Sequence, residues 1–572
     1  MILQALKEYY DRMVNDPESG IAPLGWERKE IPFLIVINEN GSLVRVEDTQ
    51  ELVGKKKRAK IFLVPQSVKR SSGIASNLLW DNVEYVTGIV CKGTPDRVAA
   101  QHIAFLERLA MLPSCKAVDN IQSFLLSPNY REQLSADSTW QEAVKSCAFV
   151  SFKLEGELQP VFRDPLIVSH IEATISSGDS RIGKCSRCLI SGQYDTIAEL
   201  HPAIKGVQNT NTTGGNIISF NFPAACSFGK TQGNNAPVGN RSAFEYTTAL
   251  NTLLSKDSHQ KLQIGDATTV FWASRSSTLE NDFVDMFSEP PQDDPNRNNE
   301  AVERLLSSVK TGAFVHEKDE TRFYVLGLSP NAARIAVRFW HNGTVAEMEH
   351  RFADWFENLR IVHAPDLREH LSLWRLLLSL APQSKSENIP PNLAGAVMRS
   401  ILEGTPYPAT LLSSALVRIK AERNVGYPRA KLIKAFLNHN YKRNLSMSLD
   451  KDNTNIGYRL GRLFATLEKL QMLANPGINA TIRDKFYASA SATPSAVFGN
   501  LMRLSGHHLS KLDADKKGLR IWLEKQIEEI MSGISSFPMH LSLEDQGMFA
   551  IGYYHQRMEK KEDSQATKTS EI

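Results

Sequence analysis

Hydrophobic and polar positions follow two periods in this chain, and the place where one gives way to the other organises the molecule. From Ile2 to Met13, Leu3, Leu6, Tyr9, Tyr10 and Met13 recur at helical spacing, which predicts an opening helix. The run FLIVI (Phe33 to Ile37), the turn pair Asn40-Gly41 and the following SLVRVED predict a β-hairpin. IFLVP from Ile61 reads as another strand, residues 96–111 as a helix, and residues 138–154 as a helix followed by a strand. The middle alternates strand-like runs with long polar loops. AFVSFKLEG, IISFN from Ile217 and TTVFWAS around Thr269 read as strands. SAFEYTTALNTLLS reads as a helix with Phe244, Ala249, Leu250, Leu253 and Leu254 on its apolar side. RFYVLGLSP and ARIAVRFWHNG read as two strands joined at Ser329, Pro330 and Asn331.

Past about Pro382 nearly every segment has helical spacing: LAGAVMRSILEG, TLLSSALVRIKAERN, RAKLIKAFLNHNYKRN, YRLGRLFATLEKLQMLA and LRIWLEKQIEEIMSGI. Short loops with glycine, asparagine or proline separate them, as in a helical bundle. The expected fold is α+β. A mixed α/β body with antiparallel strands spans residues 1–382, a linker 383–392, an all-α helical bundle 393–560 and a polar tail 561–572. Residues 288–300, SEPPQDDPNRNNE, predict a loop or insertion within the body.

A length of 572 residues exceeds what one core usually serves. The hydrophobic fraction of 42% and charged fraction of 23% are those of a folded soluble protein. A net charge of +3 identifies no partner, so the placement of charge matters more than its sum. The richest apolar run, LSLWRLLLSLA from Leu371, is short for a membrane span and carries Arg375. The N-terminus lacks the basic start and apolar middle of a signal peptide. Cys91, Cys115, Cys147, Cys185, Cys188 and Cys226 are too sparse for a disulfide framework, and a reducing cytoplasm is the expected home.

Enzyme motifs fail one by one. FGKTQG, Phe228 to Gly233, has Gly-Lys-Thr, but the glycine a phosphate loop needs five residues before Gly229 is Ala224. Neither HExxH nor a GxSxG context is present. The acid pairs Asp81 with Glu84 and Asp293 with Asp294 read as solvated surface. Cys185 and Cys188 form a CxxC, but His201 and Cys226 complete it at no common zinc spacing, so no metal or cofactor is expected.

Four features suit nucleic acid instead. The first loop, behind the basic cluster Lys55 to Lys60, carries Lys69, Arg70, Ser71, Ser72 and Gly73 and leads to Asn77, mixing cations for phosphates with small polar groups. The second, Ile204 to Asn216, offers Gln208, Asn209, Asn211, Thr212 and Thr213 without charge, and Gly214 and Gly215 remove side-chain bulk. That combination, with Asn211 and Asn216 as the entering amides, fits a narrow minor groove whose A·T edges only accept hydrogen bonds. The third, Gly229 to Arg241, holds Lys230 and Arg241 for phosphates and Gln232, Asn234 and Asn235 as wedge or base readers. The fourth is a cationic helix pair with Arg418, Lys420, Arg423, Arg429, Lys431, Lys434, Lys442 and Arg443 against Glu422. Such imbalance calls for an anionic neighbour, and a phosphate backbone is a natural one.

Long strings along the chain resemble one known family: LLWDNVEYVTGI at Leu78, HPAIKGV at His201, IISFNFPAACSFGKTQGNNAPV at Ile217 and AFEYTTALNTLL at Ala243. VLGLSPNAARIAVRFW at Val325, GTPYPATLL at Gly404, RLGRLFATLEKLQ at Arg459, YASASATPSAVF at Tyr487 and EDQGMFAIGYYHQR at Glu544 continue it. Together they resemble the large subunit of the type I-C CRISPR surveillance complex, Cascade; the CxxC departs from the family's single cysteine there. The resemblance implies a non-catalytic chain that reads the PAM beside the target, starts duplex opening, supports the R-loop and displaced strand, and presents a surface to a helicase-nuclease. It implies crRNA, PAM-bearing double-stranded DNA, backbone subunits, a crRNA-processing subunit and small helical subunits as partners, and no membrane. The small subunit arises in the family by internal translation, for which Met447 and Met398 are rival starts here. Alternatives are a metal-dependent nucleic-acid enzyme and a protein-only scaffold.

Overall fold

A computed structural model describes the chain apart from residues 17, 55, 69, 71–72, 178–184, 212, 291–292, 295, 312–319, 333, 391, 513–515 and 570–572. It has two compact units: one holds residues 3–202 and 218–252, the other 203–217 and 253–572.

The first unit is built on a four-stranded sheet in the order Leu43–Asp48, Phe33–Ile37, Phe149–Leu154, Trp80–Asn82. Phe33–Ile37 pairs antiparallel with Leu43–Asp48, confirming the hairpin, and parallel with Phe149–Leu154. All five residues of Phe33–Ile37 are buried, which is why this strand is continuously apolar. Helices Lys116–Leu126, Tyr130–Ala136 and Ser138–Ser146 fill the crossover and place Ile121, Phe124, Leu134 and Trp140 in the core beside Ile35, Trp80 and Phe152. A two-stranded ribbon, Gln50–Val53 with Lys56–Ala59, carries part of the early basic cluster.

The second unit holds an antiparallel meander, Lys261–Ile264, Ala267–Ala273, Arg322–Asn331 and Arg334–Thr344; the last three were expected as strands, and Ser329 to Asn331 pair within the third instead of forming the turn. Helices follow from Val345–Leu359 to Leu543–Thr569. The α+β plan with a helical C-terminal region therefore holds.

The expected domain limits do not coincide with breaks in the packing of the second unit. One apolar core runs from Leu262 through Phe283, Phe352, Val397, Phe436 and Phe464 to Tyr554, so residue 382 divides no core. Pro382–Ser384 and Ser386–Asn388 are short 3₁₀ turns, and Ile389 packs on that core. Residues 288–296 join the helices Leu279–Phe287 and Arg297–Thr311, and the second buries Ala301, Val302, Leu305 and Leu306. The tail from 561 continues the last helix to Thr569. IISFN forms no strand; only Asn216 bridges to Arg334 in the meander.

The helix Tyr427–Tyr441 is buried on nearly every side, from Arg429 through Asn438. Ala430 and Ala435 let neighbours close over faces that a polar/apolar pattern assigns to water. Helix Ile456–Ala474 lies against Leu543–Thr569, and a Cβ at Gly461 would sit 2.1 Å from the Phe549 carbonyl oxygen.

Candidate nucleic-acid interface

The loop after strand Ile61–Pro65 is tied down from below. Asp81 is fully buried and binds both terminal nitrogens of Arg70, while Arg70 Nε donates to the Ala75 carbonyl at 2.6 Å. The guanidinium lies 4.1 Å from the Tyr85 ring centroid. Asn77 is buried too: its Oδ1 accepts the Val68 N–H at 3.0 Å, and its own N–H donates to Asp81 at 2.9 Å. Arg108 donates to the Ser76 carbonyl at 2.5 Å; burial, then the charge of Arg70, lower its pKa. Asn77, expected to touch DNA, thus shapes the loop from inside, while Arg70 is exposed with its guanidinium held by Asp81. Lys69, Ser71 and Ser72 lie outside the described residues.

The second loop belongs to the other unit. Ile204 and Gly215 exchange backbone hydrogen bonds at 2.8 and 2.9 Å, closing the neck. Gly214 has φ +86°, and a Cβ there would meet the Ile204 carbonyl oxygen at 2.5 Å, so only glycine fits. The Gln208 N–H donates to Thr268 at 2.9 Å, and Asn216 accepts from the Ile335 N–H at 3.0 Å. Asn216 is thereby an anchor on the meander. Gln208, Asn209, Asn211 and Thr213 are exposed at the tip, and Thr212 is outside the described residues.

In the third loop, Asn235 is the internal clamp. Its Oδ1 accepts the Ser227 N–H at 3.1 Å, and its Nδ2 reaches the Gln232 carbonyl at 3.0 Å. Lys230 and Gln232 stay exposed, and Asn234 is half-buried. Arg241 is paired with the buried Glu245 at 2.9 Å, and its side chain stays exposed. Sequence reasoning missed Phe228, which is 96% exposed with φ +54°. Its signal was an aromatic between serine and Gly-Lys inside a run without core periodicity.

The cationic helix pair is mostly inward. Arg418 and Arg429 share Glu422, and Arg429 also donates to the Ser379 and Asn424 carbonyls at 2.8 and 3.0 Å. Lys431 donates to the Leu359 carbonyl at 3.1 Å and Lys434 to Asn358 at 3.4 Å, both at the C-terminal end of the Val345–Leu359 helix. Burial pulls the Lys431 ammonium down to about 7 and Lys434 to about 8, outweighing nearby Glu369 and Glu357. The anion demanded by the charge imbalance is thus internal: helix-end carbonyls and Glu422. Arg429, Lys431 and Lys434 are corrected from surface to core. Arg423 and Lys442 are exposed, and Arg443 is partly exposed against Glu544.

With that geometry in view, a family model described as CRISPR-associated protein (Cas_Csd1) matches residues 6–560. The chain belongs to the Cas_Csd1 family. This family is that of the type I-C large subunit, which makes the chain a CRISPR complex subunit. Comparison with curated proteins gives no match.

The other motif candidates of this Cas_Csd1 chain take these places in the fold. The Gly-Lys-Thr at Gly229 leads into a four-residue 3₁₀ turn, Gln232–Asn235, whereas a phosphate loop leads into a helix N-terminus. Cys185 is exposed and lies 3.7 Å from Thr196 Oγ1; Cys188 is buried and accepts the Ile190 N–H at 3.4 Å. Asp81 and Glu84, expected on the surface, are both buried. Glu84 Oε1 accepts the N–H groups of Cys91, Lys92 and Gly93 at 3.0, 2.7 and 2.7 Å. Burial raises the Glu84 pKa, but these three donors overcome it and leave it below the ordinary carboxylate value. Among the described residues, no helix is long and apolar enough to cross a membrane.

Proposed function

We propose that this Cas_Csd1 chain is the non-catalytic subunit that reads PAM DNA and begins duplex opening within a crRNA-guided complex. The amide-tipped loop from Ile204 to Gly215 carries this reading. Its neck is closed by backbone bonds and glycine, and its exposed tip presents Gln208, Asn209, Asn211 and Thr213 with no charge. Uncharged amides on a slim, preformed loop suit a groove whose bases offer acceptors.

Lys69, Ser71 and Ser72 on the first loop and Lys230 on the third are assigned to phosphates. Gln232 and Asn234, joined now by Phe228, supply the wedge that follows the PAM contact. Exposed Arg423, Lys442 and Arg443 guide the displaced strand, with Arg418 a lesser contributor because Glu422 holds it. Backbone, crRNA-processing and small helical subunits and the helicase-nuclease remain the expected partners, in the cytoplasm.

The test is PAM discrimination by the assembled complex. Replacing Asn211 and Thr213 together with alanine should cost roughly 1–3 kcal/mol on PAM duplex and little on a duplex without it. Unchanged discrimination would remove the loop from the reading, and DNA cleavage by the purified chain would remove the non-catalytic assignment.

A further inference from the structure

Three donor side chains meet where the first unit's strand Trp80–Asn82 turns into the helix Val83–Thr87. Glu84 comes from that helix, Cys91 from the loop after it, and Cys147 from the end of the helix Ser138–Ser146. One carboxylate oxygen and two sulfurs lie within 4.8 Å of one another. The geometry points to a binding site for one thiophilic divalent cation, zinc by class, held by Glu84, Cys91 and Cys147 with a solvent molecule in the fourth place.

The arrangement has the marks of a built site. The three backbone donors to Glu84 all use Oε1, so they fix the carboxylate while Oε2 takes none of them. Cys147 sits at φ +51° and ψ +50°, a left-handed backbone state that residues other than glycine rarely adopt. That conformation ends its helix and precedes the strand Phe149–Leu154. The Val83 N–H donates to the Ala148 carbonyl at 3.0 Å, so the segments bearing Glu84 and Cys147 are already stitched together. Both cysteines are partly accessible, which leaves an entry path.

Binding is a balanced exchange: two S–H bonds give two metal–sulfur bonds, and two protons leave to water. Without a cation, burial first and then the neighbouring thiol raise the Cys91 pKa to about 12, and burial with Glu84 raises that of Cys147. The bare pair is therefore protonated and slow towards oxidants. A bound dication reverses that preference, and the nearby Lys92 ammonium offsets part of the ligands' negative charge.

The test uses the intact chain, reduced and stripped of metal, titrated with cobalt(II) as a spectroscopic probe. One equivalent should give sulfur-to-cobalt charge-transfer absorption, and zinc should abolish it. Cys91→Ser combined with Cys147→Ser should remove the band, Cys185→Ser with Cys188→Ser should leave it, and Glu84→Gln should weaken binding roughly 10–100-fold. Circular dichroism checks that the variants fold. On the unaltered chain, zinc should also protect Cys91 and Cys147 from alkylation, read peptide by peptide. No cobalt–thiolate band, a band surviving loss of both cysteines, or absence of zinc protection would overturn the site. So would quantitative Cys91–Cys147 disulfide formation in the presence of zinc.

Discussion

Asp81 holds Arg70 from beneath: the acid is fully buried, and the cation it binds lies across the face of Tyr85. The same carboxylate takes the Asn77 N–H, so one buried acid sets the course of the first loop. Removing it strands a guanidinium and a backbone donor together. Asp81→Ala should lower the first unit's stability by roughly 3–5 kcal/mol, and Asp81→Asn by less, since the amide still accepts one bond. A urea midpoint that stays put for Asp81→Ala would refute this role.

The lysines of the central helix predict a pH dependence. Lys431 and Lys434 have folded pKa values of about 7 and about 8, below the 10.5 of an open chain. Between those values the unfolded chain binds more protons than the folded one, so the second unit's stability should rise with pH from about 7 towards 10. Facing groups are Glu369, Glu357, Arg360, His370 and His555, of which the two histidines are pushed down by burial first and by these lysines after it. Lys431→Met should flatten the slope in denaturant midpoints measured across that range.

Close helix contact at Gly461 makes a third prediction. An added methyl would meet the Phe549 carbonyl at 2.1 Å and the Tyr553 nitrogen at 2.8 Å. Gly461→Ala should therefore destabilise the second unit by about 1–3 kcal/mol. Thermal unfolding of the variant checks it.

Much of this architecture is legible in the sequence, and the failures have physical reasons. Elements with a clean period were found: the Phe33–Ile37 hairpin, the meander strands Arg322–Asn331 and Arg334–Thr344, and the long C-terminal helices. The linker at 383–392 misled because proline and serine mark a break in helix, and such a break does not require a break in the core. Lys431 and Lys434 misled because charge normally reports surface, whereas here each stem reaches a helix-end carbonyl. The tight neck of the Ile204–Gly215 loop was legible in Gly214, where a side chain would meet the Ile204 carbonyl. Phe228 was missed because exposure of a single aromatic leaves no trace in periodicity.

The third loop separates two contributions to DNA binding. Lys230→Ala should reduce the salt slope by about one and weaken all duplexes alike. Phe228→Ala should leave that slope unchanged and slow base-pair opening next to the PAM, with a loss of about 1–3 kcal/mol that Phe228→Trp restores. Fluorescence of 2-aminopurine placed beside the PAM reads the opening, and equal rates for Phe228→Ala and the unaltered protein would dismiss the aromatic.

The buried Tyr427–Tyr441 helix also bears on any shorter product of the same message. At Gly547 the last helix runs so near Leu412, Ile433 and Leu437 that an added methyl would lie 3.3 to 3.4 Å from each. A polypeptide starting at Met447 keeps the Ile456–Ala474 and Leu543–Thr569 pair and leaves those three side chains behind. It would emerge with an open greasy trough, and would stay sticky until a neighbour in the assembly, or another copy of itself, refilled the gap.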